Sequence, residues 1–508
     1  MMRRHRLALL FVAVGATAAI VGVAAYVSTR GESTRVASMP GLQRGHAFDE
    51  PVVLRSHGGR LKATFTVEQR QFTVAGVRVR GKSYRGEFIG PTFRVRPGNT
   101  IEIRLVNRLP EPTNLHTHGL NVSPTGISDN ILRTMTAGSA NAVRVRIPRT
   151  QSPGTYWYHA HPDGLTEEQI FSGLAGVMVV EGLEERLPRA LRQIPDRVIS
   201  LKDLQIRHGA IITQNINSNA PAIRTVNGLL EPVLPVPTNQ TQLLRLANIS
   251  ADIFYRLHLD GTRFRVIAED GNPVGLVWAA DELILPPGKR YDVLVRWPRP
   301  GTYRLRTLRY SSGPSGDTYP QRMLSTVQVG GSPAADGPWP RSLGPLPQLE
   351  RAHVRRVRHL TFSENDPREK YFINGRQFDA SHVNFVAKLG TTEEWVIRNA
   401  TREQHPFHLH TNDFQVISIN GRRYLARSLQ DTVILPVQGV VRIRVRFRNF
   451  VGATVFHCHI TAHEDHGMMG IVDVTRTGRG PSARTLRGLR AMREEMSRAD
   501  HSAHLAMP

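Results

Sequence analysis

The sequence predicts an all-β protein built from three copies of one strand-rich unit. Short runs such as Phe93-Arg94-Val95-Arg96 and Ile101-Glu102-Ile103-Arg104-Leu105 alternate apolar and polar residues with the period of two that half-buried strands require. A turn opened by Gly and closed by Asn recurs at similar spacing, as Gly86 to Asn107, Gly228 to Asn248 and Gly375 to Asn399. A second anchor recurs later in each copy: Gly154-Thr-Tyr-Trp-Tyr, Gly301-Thr-Tyr-Arg-Leu and Gly452-Ala-Thr-Val-Phe.

In chain order, Arg3, Arg4 and Arg6 precede an uncharged run from Leu7 to Val27, which as a helix would be roughly 31 Å long and able to cross a bilayer. Residues 1–30 therefore read as a membrane anchor or, with Val23-Ala24-Ala25 as a cleavage site, as a signal peptide. Either way the positive-inside rule puts the rest of the chain outside the cytoplasm: secreted, periplasmic or anchored on the outer face. Residues 31–49 read as a polar stalk. Units follow at 50–182, 197–330 and 352–475, separated by the breaks Gly182 to Asp196 and Gly330 to Gln348, both rich in Pro. Residues 476–508 form a basic tail whose Arg484 to Arg498 stretch is helix-forming, either a solvated terminus or a surface-binding helix.

At 508 residues the chain is too long for one ordinary domain, and 40% hydrophobic residues suffice for real cores. The net charge of +24 comes almost wholly from dispersed Arg, with no basic block or motif that would mark a nucleic-acid binder. It suits anionic surroundings instead. A single cysteine excludes a disulfide framework and every paired-Cys zinc motif.

Ten of the 21 histidines fall in four short motifs: His116-Thr-His118, His159-Ala-His161, His405-Pro-Phe-His408-Leu-His410, and His457-Cys458-His459 with His463. On a strand, residues two apart share a face, so each His-x-His turns two imidazoles in one direction. Within His457-Cys458-His459 the thiol points away from both imidazoles and belongs to a different site. With His405, His463 and Met468, Cys458 can make the two-His, one-Cys, weak-Met set of a blue copper centre. Eight histidines remain, enough for three more coppers holding three, three and two imidazoles. Such a cluster suits dioxygen, whose reduction to water needs four electrons. The middle unit has Arg306-Thr307-Leu308 at the equivalent place and no ligands.

These four motifs resemble the copper signatures of the three-domain, laccase-like multicopper oxidases, over roughly residues 50 to 475. The resemblance implies three cupredoxin-like Greek-key β-sandwiches, with one type 1, one type 2 and two type 3 copper ions. His405, Cys458, His463 and Met468 would hold type 1, and His116 and His408 type 2. His118, His159, His161, His410, His457 and His459 would hold the type 3 pair. Pro287-Gly288-Lys-Arg-Tyr291-Asp292 resembles a structural signature of the middle domain. Two acids are candidates for supplying protons to oxygen: Asp129, otherwise a turn residue, and Glu464, otherwise a solvated carboxylate. Thr117 departs from the Trp found in many relatives, and the loop Gly119 to Asp129 is longer than usual. His466 fits no ligand position and reads as surface.

The implied partners are dioxygen and a small reductant, with phenols and aryl amines expected ahead of metal ions. The 11 Met include one adjacent pair in the globular part, Met468-Met469, too few thioethers for a Cu(I) specialist. Copper nitrite reductase and a copper-free export or cell-division scaffold are the alternatives; the complete ligand set opposes both.

Overall fold

The computed structural model describes residues 41–505 except 215, 220, 336, 366 and 367, with side chains described as far as 494. The anchor or signal reading of 1–30 and most of the stalk lie outside the described residues. Residues 41–49 pack on the middle unit, through bridges from Arg44 to Leu230 and Ala47 to Val233. Among the described residues no helix is long and apolar enough to cross a membrane.

The alternating runs become strands, and the three copies share one topology. One sheet of each copy contains Val77–Ser83, Arg60–Val74, Thr100–Asn107 and Ala140–Arg146, or their counterparts. These are Ile223–Val226, Asp196–Leu204, Gln242–Asn248 and Arg290–Val295 in the second copy, and Lys370–Ile373, Val354–Asn365, Thr392–Asn399 and Val440–Arg446 in the third. Pairing along that row is antiparallel, parallel, antiparallel each time. The facing sheet repeats a parallel, antiparallel, antiparallel row. It is Gly90–Val95, Ala175–Val180, Gly154–His159, His116–His118 in the first copy and Phe385–Lys388, Met469–Thr475, Gly452–Cys458, His405–Leu409 in the third. The middle copy uses Val233–Pro237, Arg322–Gly330, Gly301–Leu308 and Tyr255–Leu259.

The Asn that closes each repeat has the same task in all three. Asn107, Asn248 and Asn399 are fully buried at the end of a strand. Each amide donates to carbonyls of the following loop and of a neighbouring segment, such as Ile253 O at 2.8 Å and Leu285 O at 2.9 Å for Asn248. Its Oδ1 accepts the backbone N–H two residues on, at 3.0 Å in Asn107 and Asn248 and 2.9 Å in Asn399. Leaving such buried groups unpaired costs roughly 1–3 kcal/mol each, which is why the repeat keeps Asn here.

Burial departs from simple alternation where a second layer covers a strand. Thr100–Asn107 buries Ile101, Ile103 and Leu105 and exposes Arg104, as expected. Gly90–Val95 is buried on both faces, because the middle unit packs on it and Asp196 accepts a 2.9 Å bond from Arg94. The hairpin Ile206–Arg207 and Ala210–Ile211, later in sequence than the first break and so within the second unit's span, adds to the first unit's sheet opposite Arg80. The basic tail forms a helix, Ala483–Leu505, whose Leu489 and Met492 pack with Ile131, Leu132 and Val455.

Two short helices meet where all three units touch. Helix α1, Thr166–Ser172, belongs to the first unit, and α2, Thr461–Asp465, to the third. Asp465 accepts from the backbone N–H groups of Thr166 (3.0 Å) and Glu167 (2.8 Å). Asp252, from the middle unit, accepts from Thr461 Oγ1 and Ala462 N, both at 3.3 Å. Burial, then the charge of Asp252 beside it, pushes the Glu167 carboxyl up to about 10. Above about pH 4.5 the unfolded chain therefore releases a proton that the folded protein keeps, so stability falls as pH rises towards 10. Glu167→Gln should flatten that loss. Its thermal midpoint should match the native protein near pH 5 and exceed it near pH 9, and parallel melting curves across that range would contradict the raised Glu167 carboxyl.

Candidate metal centre

The ligand-bearing strands are neighbours in both outer units, so motifs far apart in sequence meet by cross-strand pairing. His116 lies opposite His159, and His408 opposite His457. Packing the first unit against the third then closes the two rows on each other. His118 stacks on His408 with ring centroids 3.7 Å apart, and His116 on His410 at 4.0 Å. His161 Nε2 comes to 3.5 Å and His410 Nε2 to 2.9 Å from His457 Nε2, and His118 Nδ1 to 3.3 Å from His459 Nε2.

The eight imidazoles sort into overlapping groups: His116, His118 and His408; His118, His159 and His459; His161, His410 and His457. In each group the candidate ligand atoms lie within 4.8 Å of one another. All eight side chains are buried, and burial holds His161 down to about 3 and His408 to about 4, with His118, His159, His410 and His459 well below the usual range. Neutral imidazoles are what a metal requires. His116 Nε2, His159 Nε2 and His408 Nε2 are buried without a hydrogen-bond partner. Such orphaned nitrogens in a dry interior are costly unless something coordinates them, so the donor set fits bound metal ions.

On the other face of the same strand, Cys458 turns into the third unit's core. Its Sγ is 3.5 Å from His405 Nδ1 and 3.8 Å from His463 Nδ1, and the two nitrogens are 3.3 Å apart. An ion at the centre of that triangle would sit about 2 Å from each atom, an ordinary metal–ligand length. Burial pushes the Cys458 thiol well up, so a bound cation is needed to draw off its proton. Met468 is fully buried, its N–H bonded to His463 O and its carbonyl to Cys458 N. Thr401, two residues beyond the anchor Asn399, holds His405 Nε2 at 2.8 Å.

Both candidate acids are buried against ligands. Asp129 is 3% exposed and accepts from His116 Nδ1 at 2.9 Å and from Thr117 N at 3.0 Å, which leaves His116 Nε2 bare. Glu464 is 1% exposed, with Oε1 3.2 Å from His161 Nδ1 and Oε2 2.8 Å from His457 Nδ1. Burial alone would raise it, but His161 and His457 more than offset that and hold it at about 2. Glu464 is therefore not solvated, and Asp129, in the bend that follows Gly126 and Ile127, is buried there against a ligand. The loop Gly119 to Asp129 is mostly buried, with Asn121 bonded to Thr411 of the third unit. His466 is exposed.

Sequence reasoning missed several neighbours. Asp431 accepts from His118 Nε2 at 3.2 Å through its carboxylate and from His408 Nδ1 at 2.8 Å through its carbonyl. Arg290 grips that carboxylate with two bonds, at 2.8 and 2.6 Å. Around the blue-type site, Tyr371 stacks on His463 at 4.1 Å, Glu403 Oε1 lies 3.4 Å from His463 Nε2, and Glu364 Oε2 lies 3.5 Å from His405 Nε2. None of these stands in a short motif except Arg290, which lies in the quoted Pro-Gly-Lys-Arg-Tyr-Asp segment.

Known proteins share this three-unit architecture. Family models described as multicopper oxidase match residues 66–185, 197–327 and 351–478. The chain is 26% identical over 402 residues to the multicopper oxidase mco of Staphylococcus haemolyticus, covering 77% of this chain and 83% of that one. It is 27% identical over 391 residues to the cell division protein FtsP of Xenorhabdus nematophila, covering 73% and 80%. A solved multicopper oxidase from Campylobacter jejuni, described as a metallo-oxidase, superposes with a TM-score of 0.75 at 25% identity, covering 85% and 96%. With its three matched domains spanning most of the sequence, the chain belongs to the multicopper oxidase family.

Proposed function

We propose that the protein is a four-copper oxidase that removes single electrons from a small reductant and reduces dioxygen to water outside the cytoplasm. One observation carries this reading: a single strand end directs Cys458 to one metal set and His457 and His459 to the other. Copper bound in these sets supplies one-electron transfer at Cys458 and, in the eight-histidine cavity, a site able to take four electrons to oxygen. The two sets are joined through one or two residues of backbone. Similarity to a cell division protein makes a structural role the alternative, against which the full set of ten buried histidines and one cysteine favours catalysis.

The protein's own groups take the remaining tasks. His463 is the most exposed of the ligands, at 7%, so the reductant docks at its Nε2 edge. There the Tyr371 ring offers a face for a planar substrate, and Glu403 a carboxylate for the proton that a phenol or aryl amine loses on oxidation. A second reading, a metal-ion reductant, is favoured by Glu364 and Glu403, whose oxygens lie within 4.8 Å of each other and of His405. At the cavity, Glu464 lies against the Nδ1 edges of His161 and His457, and Thr166 Oγ1 reaches it at 3.1 Å from the α1 side. It is placed to pass protons towards oxygen. Asp129 holds His116 in the tautomer that turns Nε2 inward.

Three measurements test this. Cys458→Ser should abolish the intense visible absorption and turnover while copper remains at the histidine cluster; a Ser variant that stays blue would sink the assignment. Glu464→Gln should lower kcat roughly 100-fold with little change in the reductant KM, and an unchanged kcat would remove Glu464 from proton delivery. Oxygen uptake with phenols, aryl amines, Fe(II), Mn(II) and Cu(I) should show the highest kcat/KM for an aromatic reductant. A metal ion exceeding every aromatic compound would establish the second reading.

A further inference from the structure

The middle unit carries no ligand, yet its turn Pro286 to Lys289 reaches the cavity. Gly288, at φ +81°, comes so close that an added Cβ would lie 2.9 Å from His459 Cδ2 and 3.2 Å from His118 Cε1. The next two residues both reach across the domain boundaries. Lys289 Nζ donates to Asp270 at 2.9 Å within its own unit and to Thr432 O at 3.0 Å and Gln430 Oε1 at 3.2 Å in the third. Arg290 Nε donates to Thr155 O of the first unit at 3.3 Å, and its Nη atoms take both oxygens of Asp431 in the third. Arg290 and Asp270 are fully buried, Asp431 is 1% exposed and Lys289 4%. A planar guanidinium paired with a carboxylate on two parallel bonds is the most directional ion pair available to a protein.

We propose that Arg290 is a positioning residue for the eight-histidine cavity, acting through Asp431, which sets the tautomers of two ligands at once. The His118 Nε2–H donates to the Asp431 carboxylate, so its bare nitrogen is Nδ1, the atom facing His459. The His408 Nδ1–H donates to the Asp431 carbonyl, so its bare nitrogen is Nε2, the orphaned one. His118 and His408 share one metal group, and His118 belongs to a second as well. A tilt of Asp431 would therefore disturb two metal positions together. Its backbone and carboxylate are held by a closed set: Asp270 Oδ2 accepts from Asp431 N, Thr432 Oγ1 donates to Asp431 Oδ1, and Arg290 grips both oxygens. The ligand-free unit thus clasps the other two and orients their shared site.

This inference rests on the cavity holding copper, and the experiment separates the two. Native protein, Arg290→Gln, Arg290→Lys and Asp431→Asn are reconstituted with copper and compared by copper content, visible absorption at the Cys458 site and the type 2 electron paramagnetic resonance signal. Arg290→Gln and Asp431→Asn should bind cluster copper roughly 10- to 100-fold more weakly and alter the type 2 signal, with the Cys458 absorption intact. Arg290→Lys, which keeps the charge and loses the fork, should fall between them and the native protein. Native protein without cluster copper would overturn the oxidase reading itself. Native protein with a full cluster, and variants with unchanged copper content and an unchanged type 2 signal, would overturn the role of Arg290. Loss of the Cys458 absorption and the cluster together in all three variants would show a merely structural ion pair and overturn it equally.

Discussion

Successive side chains of a β-strand point to opposite faces, and this protein's chemistry is arranged around that rule at one place. The strand Gly452–Cys458, continuing to His459, places a thiol in the third unit's core and imidazoles at the boundary with the first unit. Every other ligand has to be brought to one side or the other of it. The cross-strand neighbours His405–Leu409 do so on both faces: His408 opposes His457, while His405, three residues earlier, reaches the thiol. A shift of register by one residue would exchange the two faces and dismantle both sites.

Gathering ten imidazoles in a dry interior carries an electrostatic demand. Each ring has two nitrogens, and each nitrogen that does not face a metal needs an acceptor, or the tautomer is left undetermined. The acceptors are supplied by Asp129 and Asp431 and by carbonyls such as Ala160 O and Cys458 O, while Glu464 lies within ion-pair distance of His161 and His457. Buried carboxylates in turn need partners. Glu464 finds them in His161 and His457, whereas Asp431, at the side where the middle unit packs, takes Arg290. The ligand-free unit therefore has a physical role that its lack of histidines conceals: it provides the cation that allows an ionised carboxylate to be buried beside the cavity.

Several features of the site were legible residue by residue, and their visibility has a common cause. The repeat anchors Asn107, Asn248 and Asn399 recur because each sandwich has the same orphan carbonyls to satisfy at the same strand end. The His-x-His pairs stand out because strand periodicity forces two ligands on one face into that spacing. Asp431, Arg290 and Tyr371 had no such visibility, and Glu403, although two residues before His405, matched no ligand spacing. Each acts across a gap of dozens to hundreds of residues, and a lone Asp, Arg, Glu or Tyr is abundant in any β-protein. Asp129 and Glu464, like Glu403 just before His405, lie near a ligand motif in sequence, and only burial and contacts set such acids apart from turn or surface carboxylates.

Local sequence determined the strand alternation, the threefold repeat, the grouping of histidines and the opposition of Cys458 to its flanking imidazoles, since each follows from the geometry of a short chain segment. Tertiary structure alone decided which imidazoles face one another, which nitrogen of each is bare, and which carboxylates are desolvated. Those properties depend on how the first and third units pack and on what the middle unit inserts beside them. Hydrogen-bond partners and burial are set by atoms remote in sequence, as with His118, whose tautomer is held by Asp431 of the third unit and, through it, by Arg290 of the second.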